Sequence, residues 1–219
     1  MGSAETMRQR LVRNAAVLLA LLLAGSAADT LRDSLPPTMP LPPRIAADTL
    51  FTDDFSHGLS RWRDDRSGVW SIRHGMLRAD LPDRKQERSL IYAGSEDWVD
   101  YALDFDVCMM RGVDKGAVVR VVNQSGVGVD LRGGGYQDVV MYSRELPLGK
   151  ASAVNANATW NHIRIEARGR HFRVYVNGDL RLDRRDLRRP RGCIALAAYT
   201  GGVGECTVYY DNVVVTRLH

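Results

Sequence analysis

The stretch WNHIRIEARGRHFRVYVNG, residues 160–178, decides the fold. Ile163, Ile165 and Ala167 share one side of an extended chain, while His162, Arg164, Glu166 and Arg168 share the other. A side-chain period of two sends one face to a core and the other to water. Gly169, between two arginines, takes the positive φ of a tight turn. Phe172, Val174 and Val176 then point inward and His171, Arg173 and Tyr175 outward. Asn177-Gly178 is a strong hairpin signal, because a type I′ turn needs positive φ at both central residues. Leu180 and Leu182 continue the inward face. The segment predicts three consecutive antiparallel strands, a meander with one wet face, and hence an all-β domain. By itself it carries no chemistry.

The same alternation recurs on both sides. FTDDFSHGLSRWRDD (51–65) reads as strand, turn and a Trp-bearing segment, and GVWSIRHGMLRADL (68–81) as a hairpin turning at His74-Gly75. SLIYAG (89–94), WVDYALDFDVCM (98–109), DKGAVVRVVN (114–123), VGVDLR (127–132) and DVVMYSR (138–144) precede the meander. GCIALAAY (192–199) and CTVYYDNVVVT (206–216) follow it. Ten or more short strands with turns between them predict a β-sandwich or jelly roll. A chain of 219 residues suits one such domain.

The N-terminus reads as a processing signal. Arg8, Arg10 and Arg13 precede the apolar run AAVLLALLLA (15–24), and the small residues GSAA (25–28) follow. This is the pattern of a secretory signal peptide over 1–28. The run falls short of the roughly 20 residues that span a bilayer, so no integral membrane span is expected after cleavage. LAGS (23–26) is similar to a bacterial lipoprotein signal, with Ser26 where the lipidated Cys belongs. Residues 29–50 carry five of the eight prolines and read as an extended linker to a domain at 51–217. Taking the three arginines and one glutamate of 1–28 from totals of 30 and 26 leaves 27 basic and 25 acidic side chains, a net of +2. That balance, together with export, argues against a nucleic-acid partner. Export permits a disulfide. A hairpin around TGGVG (200–204) places Cys206 opposite Tyr199 and too far from Cys193, leaving Cys108 to pair with either, or all three as buried thiols.

A retaining glycosidase needs two carboxylates about 5–5.5 Å apart. The Glu-x-Asp-x-x-Glu string of jelly-roll glucanases is absent. Asp104 and Asp106 share a strand face and are read as a solvated outer face, with His162 and His171 as surface residues. Structural Ca²⁺ is the one cofactor expected, with Asp54 and Asp211 as ligands joining the first and last strands through hard oxygens; the competing reading is turn chemistry. A sugar site needs aromatic faces and planar polar groups. Arg120, flanked by valines, is expected beside Val118 and Val122 on a concave face, where a guanidinium needs a ligand or a partner such as Asp130. Tyr136 and Gln137 form a lip, and Tyr142 and Trp70 offer stacking surfaces. RLDRRDLRRPR (181–191) holds six arginines and reads either as an anionic-surface contact or as a solvated connection.

The ordered pieces resemble the concanavalin A-like jelly rolls, two antiparallel sheets packed as a β-sandwich. Within these the chain is similar to the 3-keto-disaccharide hydrolase family, whose domains resemble family 16 glycoside hydrolases. DDF (53–55) with Trp62, GVWSIRHGML (68–77), DYALDFDV (100–107), KGAVVR (115–120), the quoted segment, RGCIAL (191–196) and YYDNVVV (209–215) carry the resemblance. It implies glycan recognition, with glycoside cleavage as one alternative and a cell-surface adhesion domain as another. The expectation is a secreted carbohydrate-binding module with a glycan or glycoconjugate partner.

Overall fold

The computed structural model describes residues 36–37, 48–82, 84, 86–143, 146–186, 188–201 and 204–219. The expected signal peptide (1–28) and most of the expected linker (29–50) lie outside the described residues.

The described chain is all β. Its strands are β1 (Thr49–Asp53), β2 (Arg63–Asp64), β3 (Trp70–Arg73), β4 (Met76–Leu81), β5 (Arg88–Ala93), β6 (Tyr101–Arg111), β7 (Asp114–Val122) and β8 (Ser125–Arg132). They continue with β9 (Asp138–Ser143), β10 (Leu146–Ser152), β11 (Trp160–Arg168), β12 (His171–Val176), β13 (Asp179–Arg185), β14 (Cys193–Tyr199) and β15 (Cys206–Arg217). One sheet runs β13-β12-β11-β6-β15-β4-β3, with β1 also against β15; the other runs β10-β9-β8-β7-β14-β5-β2. Every pairing is antiparallel. Strand β1 begins at Thr49, two residues before the expected domain start.

The quoted segment forms the predicted meander, and its two ends meet. Asn177 and Gly178 both have positive φ, 52° and 88°. Asn177 Nδ2 donates to Asn161 Oδ1 at 3.0 Å, and Asn177 Oδ1 accepts the His162 amide at 2.8 Å. The opening Trp-Asn thus fastens the closing Asn-Gly. Leu182 is buried as expected, but Leu180 is 52% exposed. A register shift between Val174 and Tyr175 turns it outward.

The core lies between the sheets. Leu103, Phe105, Val107, Ile163, Ile165 and Val208 meet Ala117, Val119, Val129, Leu131, Ile194 and Leu196, all 2% exposed or less. Burying each large apolar side chain contributes about 1.5–3 kcal/mol. Two buried phenols tie the layers together. Tyr210 Oη accepts the Gly116 amide at 3.0 Å and donates to the Ala197 carbonyl at 2.5 Å. Tyr101 Oη accepts the Arg120 amide at 2.7 Å and donates to the Cys193 carbonyl at 3.2 Å.

One sequence expectation changes, and one open alternative is decided. Cys206 does not face Tyr199 across a hairpin: β14 and β15 belong to different sheets. Cys108, Cys193 and Cys206 are all buried free thiols. Among the described residues no helix is long and apolar enough to cross a membrane.

Candidate functional site

Strand register assembles a site on the outer face of the second sheet. One row across the sheet is Arg88, Tyr199, Asp114, Arg132 and Asp138. The next is Leu90, Ala197, Gly116, Asp130, Val140 and Lys150. A third is Tyr92, Ala195, Val118, Gly128 and Tyr142. Small residues at 197, 116, 195 and 128 lower the middle of the face, while long side chains stand at its sides. The result is a cleft of about 720 Å³ whose walls include Arg88, Arg132, Tyr142, Lys150 and Tyr199, with Asp130 in its lining.

Two glycines shape the floor. A Cβ on Gly128 would lie 2.2 Å from the Tyr142 ring, so only glycine lets that ring lie against its partner strand. A Cβ on Gly116 would lie 1.9 Å from the Val129 carbonyl oxygen. Tyr210, reaching Gly116 and Ala197, pins this floor from the core side.

The electrostatics are unusual for a sheet surface. Arg132 grips Asp138 through two parallel hydrogen bonds of 2.8 and 2.7 Å and carries the Tyr136 ring at 4.3 Å. Asp130 has no such partner. Its Oδ1 accepts only the Tyr142 hydroxyl at 3.4 Å among the described hydrogen bonds. Burial, followed by the charge of Asp114, pushes the Asp130 carboxyl up to about 7. Burial likewise pushes Asp114 up to about 6, against the pull of Arg132. Desolvation disfavours the charged form, and a second carboxylate nearby does the same. Among the described residues Asp130 is the one carboxylate lining the cleft.

The six expected ligand residues separate. Asp130 and Tyr142 line the cleft, and Tyr136 joins them through Arg132, its ring 52% exposed. Gln137 is architectural: its side chain accepts the Asn155 amide at 2.7 Å and donates to the Asn155 and Gly134 carbonyls at 3.1 Å each. Trp70 packs in the core and donates its indole N–H to Ser89 Oγ at 2.9 Å.

Arg120 is the largest correction. It is fully buried, with φ at +55°. The register slips between Val119 and Val122, and this bulge turns Arg120 off the outer face, leaving Val118 and Val121 there. Its guanidinium donates to the Ala167 carbonyl and to Asp100 Oδ1 at 3.0 Å each, to the Arg189 carbonyl at 3.1 Å and to the Pro190 carbonyl. It is a clamp between loops and sheets, closed to any ligand. Its acid partner is Asp100, not Asp130.

The outer face of the first sheet holds a contrasting network. Asp104 and Asp106 are 8% and 2% exposed, not a solvated pair. His162, across from them on β11, places Nδ1 2.8 Å from Asp106 Oδ1 and Nε2 3.3 Å from Asp104 Oδ1. These two contacts, Asp104 first, raise His162 to about 9, so it is an imidazolium at neutral pH. Arg164 Nη1 reaches Asp104 Oδ2 at 2.6 Å, and Asn212 Nδ2 reaches Asp106 Oδ2 at 2.8 Å. Every carboxylate oxygen of the pair has a donor.

At the chain ends, β1 pairs with β15, aligning Asp53 with Val213. Asp54 Oδ1 accepts the Ser56 amide at 3.1 Å and its hydroxyl at 2.6 Å, and Asp211 Oδ1 accepts the Asn212 amide at 2.7 Å. Among the described residues no group of three His, Cys, Asp or Glu side chains is placed to hold a metal ion. The arginines of 181–191 are engaged within the chain. Arg181 meets Asp179 and Arg188 meets Asp186, at 2.7 and 2.9 Å. Arg184 reaches the Leu148 carbonyl, Arg185 His171, Arg189 Ser125 and Arg191 Asp97. The run is a stapled connection.

These layers, with a hollowed outer face on one of them, define a concanavalin A-like jelly roll. The chain belongs to the 3-keto-alpha-glucoside-1,2-lyase-like domain family, which matches residues 47–216. An extracellular exo-alpha-L-arabinofuranosidase of Streptomyces chartreusis is 28% identical over 137 residues, a match covering 59% of this chain and 16% of that enzyme. The fold is similar to the carbohydrate-binding module CBM66 from Bacillus subtilis, with a TM-score of 0.62 and 17% identity over 72% of this chain and 96% of that one. It is also similar to the exoplasmic/lumenal domain of VIP36 in its Ca²⁺/Man-bound form, with a TM-score of 0.56 and 12% identity over 72% and 83% of the two chains.

Proposed function

We propose that this chain is an exported carbohydrate-binding β-sandwich module whose ligand lies in the cleft on the second sheet. The observation that carries this reading is the Tyr142 ring, laid over Gly128 beside Asp130, whose one described hydrogen bond is the 3.4 Å contact from that ring's hydroxyl, in a hollow of about 720 Å³. An aromatic face takes the C–H side of a sugar ring, and charged or amide groups around it take the hydroxyls. Mostly pre-formed hollows with a few convergent polar groups are where small ligands bind. Family membership supports glycan recognition, and the leader expected from the sequence of 1–28 supports a place outside the cytoplasm.

Binding is favoured over cleavage by the acid count. In most glycosidases, hydrolysis takes two carboxylates flanking the bond. Asp114 is 6% exposed and lies outside the cleft lining, leaving Asp130 alone there among the described residues. The test is a glycan array followed by calorimetry on the hits, with Tyr142→Ala beside the wild type. Binding that disappears with the ring supports the site. A silent array overturns the function, and binding indifferent to Tyr142→Ala overturns the site.

A structural Ca²⁺ at Asp54 and Asp211 is a separate proposal. It is supported by the pairing of β1 with β15 and by the carboxylates around Asp211, which burial and then Asp54, Asp106 and Asp53 push up to about 6. A melting temperature that chelator leaves unmoved removes it.

A further inference from the structure

A second cleft, of about 770 Å³, lies at the β11–β12 turn on the first sheet. Arg168, Arg170 and His171 come from the turn and its flanks, Arg173 from β12 and Arg185 from the end of β13. The acidic side chains among its described lining residues are Asp100 and Glu166, and both are committed. Asp100 Oδ1 accepts the Gly169 amide at 2.8 Å and the buried Arg120 at 3.0 Å. Glu166 accepts Arg164 Nε at 3.0 Å and the Tyr175 hydroxyl at 3.4 Å, with Arg173 4.0 Å away. Arg120 and Arg164 stand outside the cleft, while Arg173, within it, is paired with Asp183 at 3.0 Å as well as lying near Glu166.

The surplus falls on the turn. Arg168 and Arg170 are exposed on either side of Gly169, and among the described residues neither guanidinium has an acid partner. Arg185 donates Nε to His171 Nε2 at 2.8 Å, which makes that imidazole an acceptor there, and Arg185 itself lines the cleft. The Gly169 amide bond to Asp100 fixes the turn, so these cations are held near one another by backbone rather than by counter-charge. Planar guanidinium forks match carboxylate and sulfate oxygens two at a time. A hollow of this size admits a small oligosaccharide unit.

We propose that this cleft binds the carboxylate or sulfate group of an acidic saccharide, with Arg168 and Arg170 gripping the oxyanion and Arg185 behind them. The saccharide half of the proposal rests on the carbohydrate reading above; the oxyanion half does not. The site is separate from the Tyr142 cleft, which lies on the other sheet.

The test is calorimetry of the full chain at physiological ionic strength, with a heparin-derived tetrasaccharide and a counterpart (the desulfated sugar) that is both desulfated and reduced at its carboxyl groups. Inorganic sulfate serves as competitor, and phosphatidylserine-containing vesicles form a separate arm. The expected result is that the sulfated sugar binds and the desulfated sugar does not. The double variant Arg168→Gln, Arg170→Gln weakens binding by about tenfold or more, since charge-assisted forks are the stronger class of hydrogen bond. Both positions are exposed, and unchanged melting shows that the double variant folds. Tyr142→Ala leaves this binding intact, so loss of neutral-glycan binding in that variant reports on the first cleft alone. Equal binding of the desulfated sugar, or indifference to the double variant, overturns the proposal. Sulfate ion bound without sugar overturns the saccharide half, and vesicle capture without tetrasaccharide binding overturns it in favour of a membrane surface.

Discussion

The outer faces of the two sheets are built from the same alternation and reach opposite electrostatic states. On the first sheet, Asp104 and Asp106 are buried and fully paired by His162, Arg164 and Asn212. On the second, Asp130 has one long contact to a phenol and a carboxyl raised to about 7. A network that satisfies every oxygen stabilises the fold and offers a ligand nothing. A hollow that leaves a carboxylate short of donors costs stability and offers a ligand its missing hydrogen bonds. The mark of a site here is incomplete satisfaction, not the number of polar residues.

The largest effect tests the hollow. Tyr142→Ala removes the stacking face and is expected to weaken glycan binding by about a hundredfold, near 2.7 kcal/mol, as for an interface aromatic of the dominant kind. The ring is half-buried at the cleft wall, so the melting temperature should change little. Calorimetry with an array-identified sugar measures the first quantity and thermal denaturation the second. A large fall in stability with unchanged affinity would place Tyr142 with the structural tyrosines.

Asp130→Asn separates the faces more sharply. The native carboxyl is raised above its unfolded value near 4, so between about pH 4 and 7 the folded state holds a proton that the unfolded chain has released. Stability therefore falls as pH rises through that window. Asparagine removes the penalty. The variant should be more stable than wild type at pH 8, by about 1–3 kcal/mol, equal to it near pH 4, and weaker in glycan binding. Denaturant titrations at the two pH values check this.

His162→Gln runs the other way. The imidazolium is raised to about 9 in the native state, above an unfolded value near 6.5. Its contribution is complete below about pH 6.5 and is lost as pH rises through 9. The imidazole side chain is 36% exposed, and solvent screening reduces what the shift alone suggests. The variant should lose about 1–2 kcal/mol at pH 6 and approach wild type by pH 10, with glycan affinity unchanged. A deficit that persists at pH 10 would show that packing, not charge, holds this face together.

Sequence periodicity revealed the layers because alternation is a local property. The Asn177-Gly178 turn and the strands other than β10 (Leu146–Ser152) were legible on that basis, while the pairing of first and last strands was expected from the architecture. The site was legible in part. Asp130 and Tyr142 stood out as polar and aromatic residues on strands, but Arg88, Tyr199 and Lys150 meet them only through register, with Arg88 and Tyr199 paired across β5 and β14. One signal was present. In GCIALAAY the residues alternating with Ile194 and Leu196 are Ala195 and Ala197, small where a wet face would carry polar side chains. Arg120 misled because a bulge with positive φ breaks the alternation that every face assignment assumes. The partners of Asp104 and Asp106 were hidden for a related reason: a carboxylate looks the same in sequence whether water or a histidine completes it.

The smallest predicted effect bears most directly on how the hollow is made. Gly128 pairs with Tyr142, and a methyl group there would lie 2.2 Å from the ring. The ring cannot stay, and it has room to move because the cleft lies on its other side. Gly128→Ala should therefore lift Tyr142 into the cleft rather than unfold the sheet. Stability should change by less than about 1 kcal/mol, since the lost contacts are those of one surface ring and alanine restrains the unfolded backbone more than glycine does. Affinity should fall a few-fold, and the Tyr142 hydroxyl should leave Asp130. That second consequence gives an independent readout. Without its donor the Asp130 carboxyl rises further, so the pH at which binding changes should move upward in Gly128→Ala relative to wild type. A variant that binds as wild type does, with an unmoved pH profile, would mean that the glycine serves the strand and not the ring.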